Sequence, residues 1–294
     1  MLKVRLGVGL GPGTGVAGFS DLVDELEAAG VDSLWLSEIV YGRQVEPMIG
    51  MAHALARTRK LKVGTGVAVL PGRNPVLVAK QLATLAGLAP KRVLPVFGLR
   101  PARRDEWNLF PVPEGRRAAV FDESLLVLRR LLTEDDVHVD GEFFQLDGVT
   151  LPDRPAQPLD IWVGGSAPGA LRRAGRLADG WLGSFVPPEQ AKLAVEAIKA
   201  AAAEAGREVE EDHYGLALAV APDGVPPELV RAAADRAPGV DLDDLVPTSW
   251  DDARRLLDRY LDAGLTKFVL RAAGPVPWRQ FLDDFLSLAQ ALHN

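Results

Sequence analysis

The sequence predicts a (β/α)8 barrel, the TIM-barrel architecture, and three observations carry that prediction. Short β-branched runs alternate with segments of helical period along all 294 residues. Eight strand–helix units can be counted in that alternation. The strand segments are continuous apolar runs, as expected when helices cover both faces of a parallel sheet. A doubly wound open sheet is the competing arrangement. No linker, low-complexity tract or charge block divides the chain, so residues 1–294 are expected to form a single domain.

Each element has its own signal. Val4 to Leu10 is strand-like and runs into glycines and a proline. Asp21 to Ala29 carries leucine and valine at helical spacing, and Gly30 stops it. Ser33 to Leu36 is the second strand, and Pro47 to Ala56 a helix with proline in its first turn. Leu61 to Leu70 is the third strand, closed by Pro71-Gly72, and Val76 to Leu88 the helix after it. Val93 to Leu99 is the fourth strand, followed by a long amphipathic helix from Ala118 to Leu132. The alternation is then interrupted by a short β-hairpin insertion around 137–150, with Asp140-Gly141 as its turn signal. It resumes with Asp160 to Val163, a helix from Gly169 to Leu177, Gly180 to Ser184 and a helix from Glu189 to Ala205. Tyr214 to Ala221 is the seventh strand, with a short helix near Leu229 after it. A helix from Asp251 to Ala263, with Ser249 and Asp252 resembling a capping box, leads to the eighth strand, Phe268 to Arg271, and a last helix, Phe281 to Leu292.

Composition excludes several classes of function. Forty acidic residues against 33 basic ones leave a net charge of -7, which offers no broad attraction for nucleic acid or an anionic membrane. With no cysteine there are no disulfides, thiolate metal sites or cysteine nucleophiles. His53, His138, His213 and His293 show no zinc-binding spacing, so no metal is expected. No apolar run reaches transmembrane length. MLKVRLGVGL reads as a first strand rather than a signal peptide, and a cytoplasmic location is expected.

In such barrels the site lies at the C-terminal ends of the strands. The residues there are Gly9 to Gly13, Ser37 to Arg43, Gly66 to Asn74, Gly98 to Arg104, Gly164 to Pro168, Gly183 to Pro188, Ala221 to Gly224 and Arg271 to Gly274. The segment Gly164-Gly165-Ser166-Ala167 ends a strand just before a helix opens at Pro168. Free amides and the positive end of the helix dipole converge there, either as an anion site or as a plain capped turn. Glu38 directly follows an apolar strand and is the leading ionisable candidate, near a cation or in a rim salt bridge. Arg43, Arg73, Arg100, Arg103, Arg104 and Arg271 also fall in these loops and suit a polyanionic ligand. No Ser-His-Asp set is evident, so a cofactor-dependent reaction is expected. Trp35, Trp162 and Trp181 lie within strands and read as core.

The segments Leu34–Val40, Lys62–Leu99, Phe121–Phe144 and Pro158–Phe185 resemble the luciferase-like flavin and deazaflavin oxidoreductases, specifically the branch that uses coenzyme F420. The resemblance covers essentially the whole chain. It implies that Ser37, Glu38 and Ile39 contact the ring of the cofactor, with Glu38 as the catalytic carboxylate. It implies a non-prolyl cis peptide at Gly66–Val67 that backs the ring, and a phosphate held by Gly164, Gly165, Ser166 and Ala167. Relatives show Gly-x-Gly after the fourth strand where this chain has Gly98-Leu99-Arg100, so Arg100 either neutralises the cofactor or fills part of its cleft. Ile39 stands where relatives often carry a histidine, which speaks against alcohol oxidation of the glucose-6-phosphate type. The resulting expectation is an F420-dependent oxidoreductase acting on a small-molecule substrate. The alternatives are an FMN-dependent monooxygenase and a barrel that has lost redox activity. Relatives are commonly homodimers. Here Met48, Ile49, Met51 and Leu55 are either an apolar dimer surface or core.

Overall fold

The structure is a computed structural model describing residues 3–11 and 14–293; Pro12 and Gly13, in the first strand-end loop, lie outside the described residues. The first half of the chain runs β1 (Arg5–Gly9), α1 (Phe19–Ala28), β2 (Ser33–Leu36), α2 (Pro47–Arg57), β3 (Lys62–Thr65), β4 (Ala68–Val69), α3 (Pro75–Leu88), β5 (Val93–Leu94), β6 (Val96–Gly98) and α4 (Arg117–Thr133). A hairpin of β7 (Val137–Asp140) and β8 (Gln145–Val149) follows. The chain continues through β9 (Trp162–Gly164), α5 (Pro168–Leu177), β10 (Gly180–Ser184), α6 (Pro188–Glu204), β11 (Tyr214–Val220), α7 (Pro227–Arg236), α8 (Trp250–Asp262), β12 (Lys267–Ala272) and α9 (Trp278–His293).

The main sheet is a curled array of ten parallel segments in the order β4-β6-β9-β10-β11-β12-β1-β2-β3-β5. Ten segments replace the eight expected strands because two strands are interrupted. The third breaks at Gly66–Val67, where the peptide bond is cis. The fourth breaks at Pro95, which has no N–H to give to a ladder. The halves keep matching partners: Val63 pairs with Val93 in β3 and β5, and Ala68 with Phe97 in β4 and β6.

Strand alternation separates two cores. Leu34 and Leu36 of β2 pack with the helices in the large outer cluster. Trp35, between them, joins Val96, Trp162, Leu182 and Val269 in a smaller cluster enclosed by the sheet. Trp181 is completely buried in the outer cluster, so all three strand tryptophans are core. Gly7 is required beneath this inner cluster, since a Cβ there would come within 2.4 Å of Trp35 Nε1. A third cluster, including Leu229, Ala233 and Val246, caps the C-terminal end of β11.

Local chemistry sets the element ends. Asn74 accepts from the amides of Val76 and Leu77, with Pro75 at the first helical position. Ser249 accepts from Asp252 N at 3.0 Å, as its spacing implied. The hairpin is tied to α4 by Glu123, whose carboxylate accepts from the amides of Glu142, Phe143 and Phe144. Among the described residues no helix is long and apolar enough to cross a membrane.

Candidate functional site

Because every pair in the main sheet is parallel, the strand-end loops gather at one mouth. After β2 the chain staples itself to the interrupted third strand. Ser37 Oγ donates to Gly66 O at 2.9 Å, and Glu38 N donates to Val67 O at 3.2 Å. Glu38 is only 6% exposed. Its Oε2 accepts from Val69 N at 2.7 Å, and its Oε1 accepts from Arg73 Nη2. Arg73 Nε in turn donates to Val69 O at 2.9 Å. Burial pushes the Glu38 carboxyl above the usual glutamate range, while the Val69 amide and Arg73 pull it back. Both carboxylate oxygens are therefore engaged, which makes Glu38 a clamp on the ribbon rather than a free proton carrier.

Gly72 makes this clamp possible. Its φ is +94°, and a Cβ there would lie 2.7 Å from the main-chain carbon of Phe110. The turn brings Arg73 back onto Glu38, with its guanidinium 5.3 Å from the Phe110 ring centre.

Val67 forms the apolar floor of the mouth on top of the inner cluster. Gly98 and Gly164 flank it; a Cβ on Gly98 would meet Val67 Cγ2 at 2.6 Å and one on Gly164 would meet Cγ1 at 3.1 Å. Gly165 follows with φ +105°, and Trp181 Nε1 donates to its carbonyl at 2.8 Å, which fixes the orientation of the turn. Gly165, Ser166 and Ala167 are exposed. Ser166 does not cap α5: the N-cap is Ala167, with no side-chain bond, and Pro168 supplies no N–H. In the first turn of α5 Ala170 N donates to Ala167 O at 2.8 Å, so the amide of Gly169 is the one there without a main-chain acceptor among the described residues. Ile39 is half-buried beside Glu38.

The loop arginines have separate fates. Arg73 serves Glu38. Arg103 pairs with Asp105 at 2.6 Å. Arg100 is exposed and stacks 4.7 Å from the Trp107 ring centre, with Arg104 at 5.9 Å from the same ring, so its guanidinium is held on Trp107. Arg271 is half-buried at the end of β12. Glu106 was not anticipated from the sequence. It sits in a 3-10 turn, Arg104–Leu109, and is completely buried. Its Oε1 accepts from Tyr41 N at 2.9 Å, tying the loop after β6 to the loop after β2, while its Oε2 has no partner among the described residues. The polar run around it reads as a solvated loop; the neighbouring Trp107 was the available hint.

Other expectations resolve as follows. Met48, Met51 and Leu55 are core, which leaves Ile49, 68% exposed, as the apolar surface residue of α2. A cavity of about 410 Å³ lies beside the mouth between α1 and α9, lined by Asp21, Glu25, Trp278 and Phe281. At the foot of β11, away from the mouth, Glu210, Asp212 and His213 come within 4.8 Å of one another, a grouping the histidine spacing did not reveal. Arg5, 3.5 Å from Asp212, supplies countercharge there.

Comparison with known proteins agrees with this geometry. Residues 1–262 match the family model described as luciferase-like monooxygenase. An F420-dependent glucose-6-phosphate dehydrogenase of Kineococcus radiotolerans is 32% identical over 171 residues, 55% of this chain and 51% of the relative. The match thus spans about half the length of that curated relative. Among solved structures, an F420-dependent secondary alcohol dehydrogenase in complex with an F420-acetone adduct superposes with a TM-score of 0.82 at 20% identity, covering 100% of both chains. A monooxygenase from Streptomyces bottropensis superposes with a TM-score of 0.81 at 22% identity, covering 99% of this chain and 100% of that one. At these identities the two structures speak for the fold.

Proposed function

The chain belongs to the luciferase-like monooxygenase family, and on that premise we propose that it is a coenzyme F420-dependent oxidoreductase that moves a hydride between the deazaflavin and a small organic substrate. The ten strand segments are read as eight strands of one closed (β/α)8 barrel comprising the whole chain, a reading supported by the double pairing of β3 with β5 and β4 with β6. The observation that carries the function is the floor: Val67, flanked by Gly98, where a side chain would collide with it, and by Gly164, where one would crowd it, beside a main-chain turn at Gly165.

A planar tricycle fits that apolar, glycine-walled floor, and F420, when bound, supplies the hydride chemistry. Val67 would back the ring, with Gly66 beside it. Gly164, Gly165, Ser166 and Ala167 would hold the phosphate through amides and the α5 dipole. Ser37, Glu38 and Ile39 line the adjoining edge. With both Glu38 oxygens bonded, its role is to position the ribbon and keep a negative charge beneath the ring edge. Arg100, drawn onto Trp107, leaves the floor open rather than filling it. A homodimer using the exposed Ile49 face of α2 and a cytoplasmic setting belong to the same proposal.

The experiment is a fluorescence titration of the protein with F420 and, separately, with FMN. Saturable F420 binding is expected. Preference for FMN, together with oxygen-consuming oxidation of substrate, would move the assignment to a flavin monooxygenase; binding of neither would refute a redox role. Glu38→Gln is expected to lower turnover more than F420 affinity.

A further inference from the structure

The acidic residues at the foot of the sheet, opposite the mouth, divide into two groups. Those of the first have cations of their own. Asp179, just before β10, is bound by Arg129 at 2.5 Å and by Arg207 at 3.1 Å. Glu211 is bound by Lys199 at 2.7 Å. The second group is Asp160, before β9, with Glu210 and Asp212 in the turn before β11, a turn closed by the bond from His213 N to Glu210 O at 3.0 Å. Among the described residues, Asp160 and Glu210 have no lysine or arginine nitrogen within 4.0 Å. Asp212 meets Arg5 at 3.5 Å, through Oδ2. What the three share is His213 Nε2, which lies 3.9 Å from Asp160 Oδ2, 3.7 Å from Glu210 Oε2 and 3.8 Å from Asp212 Oδ1. Lys267, the other cation near this foot, has its Nζ 4.3 Å from the Trp162 ring centre and forms an ion pair with none of the three.

The imidazole decides what belongs between them. His213 Nδ1 lies 2.7 Å from the carbonyl oxygen of Asp179, which can only accept, so Nδ1 carries the hydrogen. In the neutral ring Nε2 is then a bare lone pair facing three carboxylates. The side chain is 13% exposed, and its ring packs 5.2 Å from that of Trp162. Four acceptors that meet without a donor repel one another. Their separations from Nε2, 3.7 to 3.9 Å, are too long for hydrogen bonds from a protonated ring. They are within a few tenths of an ångström of the spacing of about 3.3–3.6 Å between ligand atoms bound tetrahedrally to a cation at about 2.0–2.2 Å. A main-chain carbonyl behind the second ring nitrogen is also the support that metal-bound histidines use. His138 provides the contrast. Its two nitrogens face Asp136 at 3.3 Å and Asp147 at 3.0 Å, and its side chain is 59% exposed, as in a surface ion pair.

We propose that His213, Asp160, Glu210 and Asp212 hold a divalent transition cation of the zinc class. The ring nitrogen selects against Mg2+ and Ca2+, which take oxygen ligands. The ion ties the start of β9 to that of β11 and, through the Asp179 carbonyl, to that of the strand between them, β10. Its role is structural. It sits at the opposite end of the strands from the proposed cofactor and does not rest on that reading.

The test is titration of the chelator-stripped full chain with Co2+, followed by visible absorption, and with Zn2+, followed by calorimetry. One equivalent of either ion is expected to bind. His213→Gln should weaken binding by at least about tenfold to hundredfold, Asp160→Asn and Glu210→Gln should each weaken it, and His138→Gln should not change it. Zn2+ should raise the Tm of wild type and of His138→Gln, but not that of His213→Gln. F420 affinity, measured in parallel, should be the same in His213→Gln as in wild type. The proposal is overturned if the stripped wild type binds neither ion, or if His213→Gln binds both within twofold of wild type. Loss of the equivalent in His138→Gln would mark an adventitious surface ion only and would overturn it as well. Should His213→Gln not fold, Asp160→Asn, at a side chain 58% exposed, decides in its place. Displacement of Co2+ by an equal concentration of Mg2+ would overturn the class of ion.

Discussion

Replacing Arg73 with methionine should leave the buried carboxylate of Glu38 without its cation, and the cost can be bounded from the structure. The Glu38 side chain is 4% exposed and that of Arg73 is 26% exposed. A contact pair at an effective dielectric near 20 gains about 4 kcal/mol before desolvation. The loss cannot exceed the cost of protonating Glu38, which from an ordinary pKa near 4.3 is about 4–5 kcal/mol at neutral to mildly alkaline pH. Arg73 is partly solvated and the Val69 amide bond survives, so about 1–3 kcal/mol is expected at pH 8. The pH dependence follows from linkage. Burial already raises the Glu38 pKa in the folded protein, and loss of Arg73 raises it further. Between the unfolded and the raised folded value, the folded state then binds more protons than the unfolded one, so stability falls as pH rises. The deficit of Arg73→Met should therefore be largest at pH 8 and shrink below about 1 kcal/mol as the pH falls toward the ordinary glutamate value. Urea unfolding of wild type, Arg73→Met, Glu38→Gln and the double variant at pH 5 and pH 8 measures this. An equal cost at both pH values, or the same cost of Arg73→Met with and without Glu38, would refute the buried-pair argument.

Three further outcomes are expected. Burial pushes the Lys267 amine, packed 4.3 Å from the Trp162 ring centre, down to about 8. The unfolded state then holds more protons between that value and an ordinary lysine pKa of about 10.4, so wild-type stability should rise across this window relative to Lys267→Met; parallel urea curves at pH 7.5 and 10 would contradict it. Trp181→Phe removes the indole bond to Gly165 O, and should cost about 1–2 kcal/mol in stability and weaken F420 binding roughly tenfold, as fluorescence titration would detect. Gly72→Ala places a side chain at φ +94° against the Phe110 main chain, and should destabilise by about 2 kcal/mol or more by thermal melting; an unchanged Tm would mean that the turn relaxes freely.

Much of the molecule is legible along the chain because the signals are local. The apolar strand runs, the helix period, Pro75 after Asn74 and the Ser249 cap depend on neighbours a few residues apart. The hairpin likewise declares itself through Asp140-Gly141. The fourth strand, expected as one run from Val93 to Leu99, is instead broken at Pro95, which cannot donate to a ladder. The glycines at 98, 164 and 165 marked the mouth because chain and floor approach closely there.

Partner choice among polar side chains was decided only when loops from distant strands met. Glu38 finds Arg73 across 35 residues, and Glu106, in a run that looks solvated, is buried because Tyr41 arrives from 65 residues away. Arg100 turns onto Trp107, and Arg271, half-buried at the end of β12, gives its side-chain hydrogen bond to the carbonyl of Ala272. Periodicity records which face of an element avoids water. It carries no record of which charges the folded sheet brings together, so the alternating α/β order of a parallel sheet could be read from the sequence while the electrostatics at its strand ends came from tertiary structure.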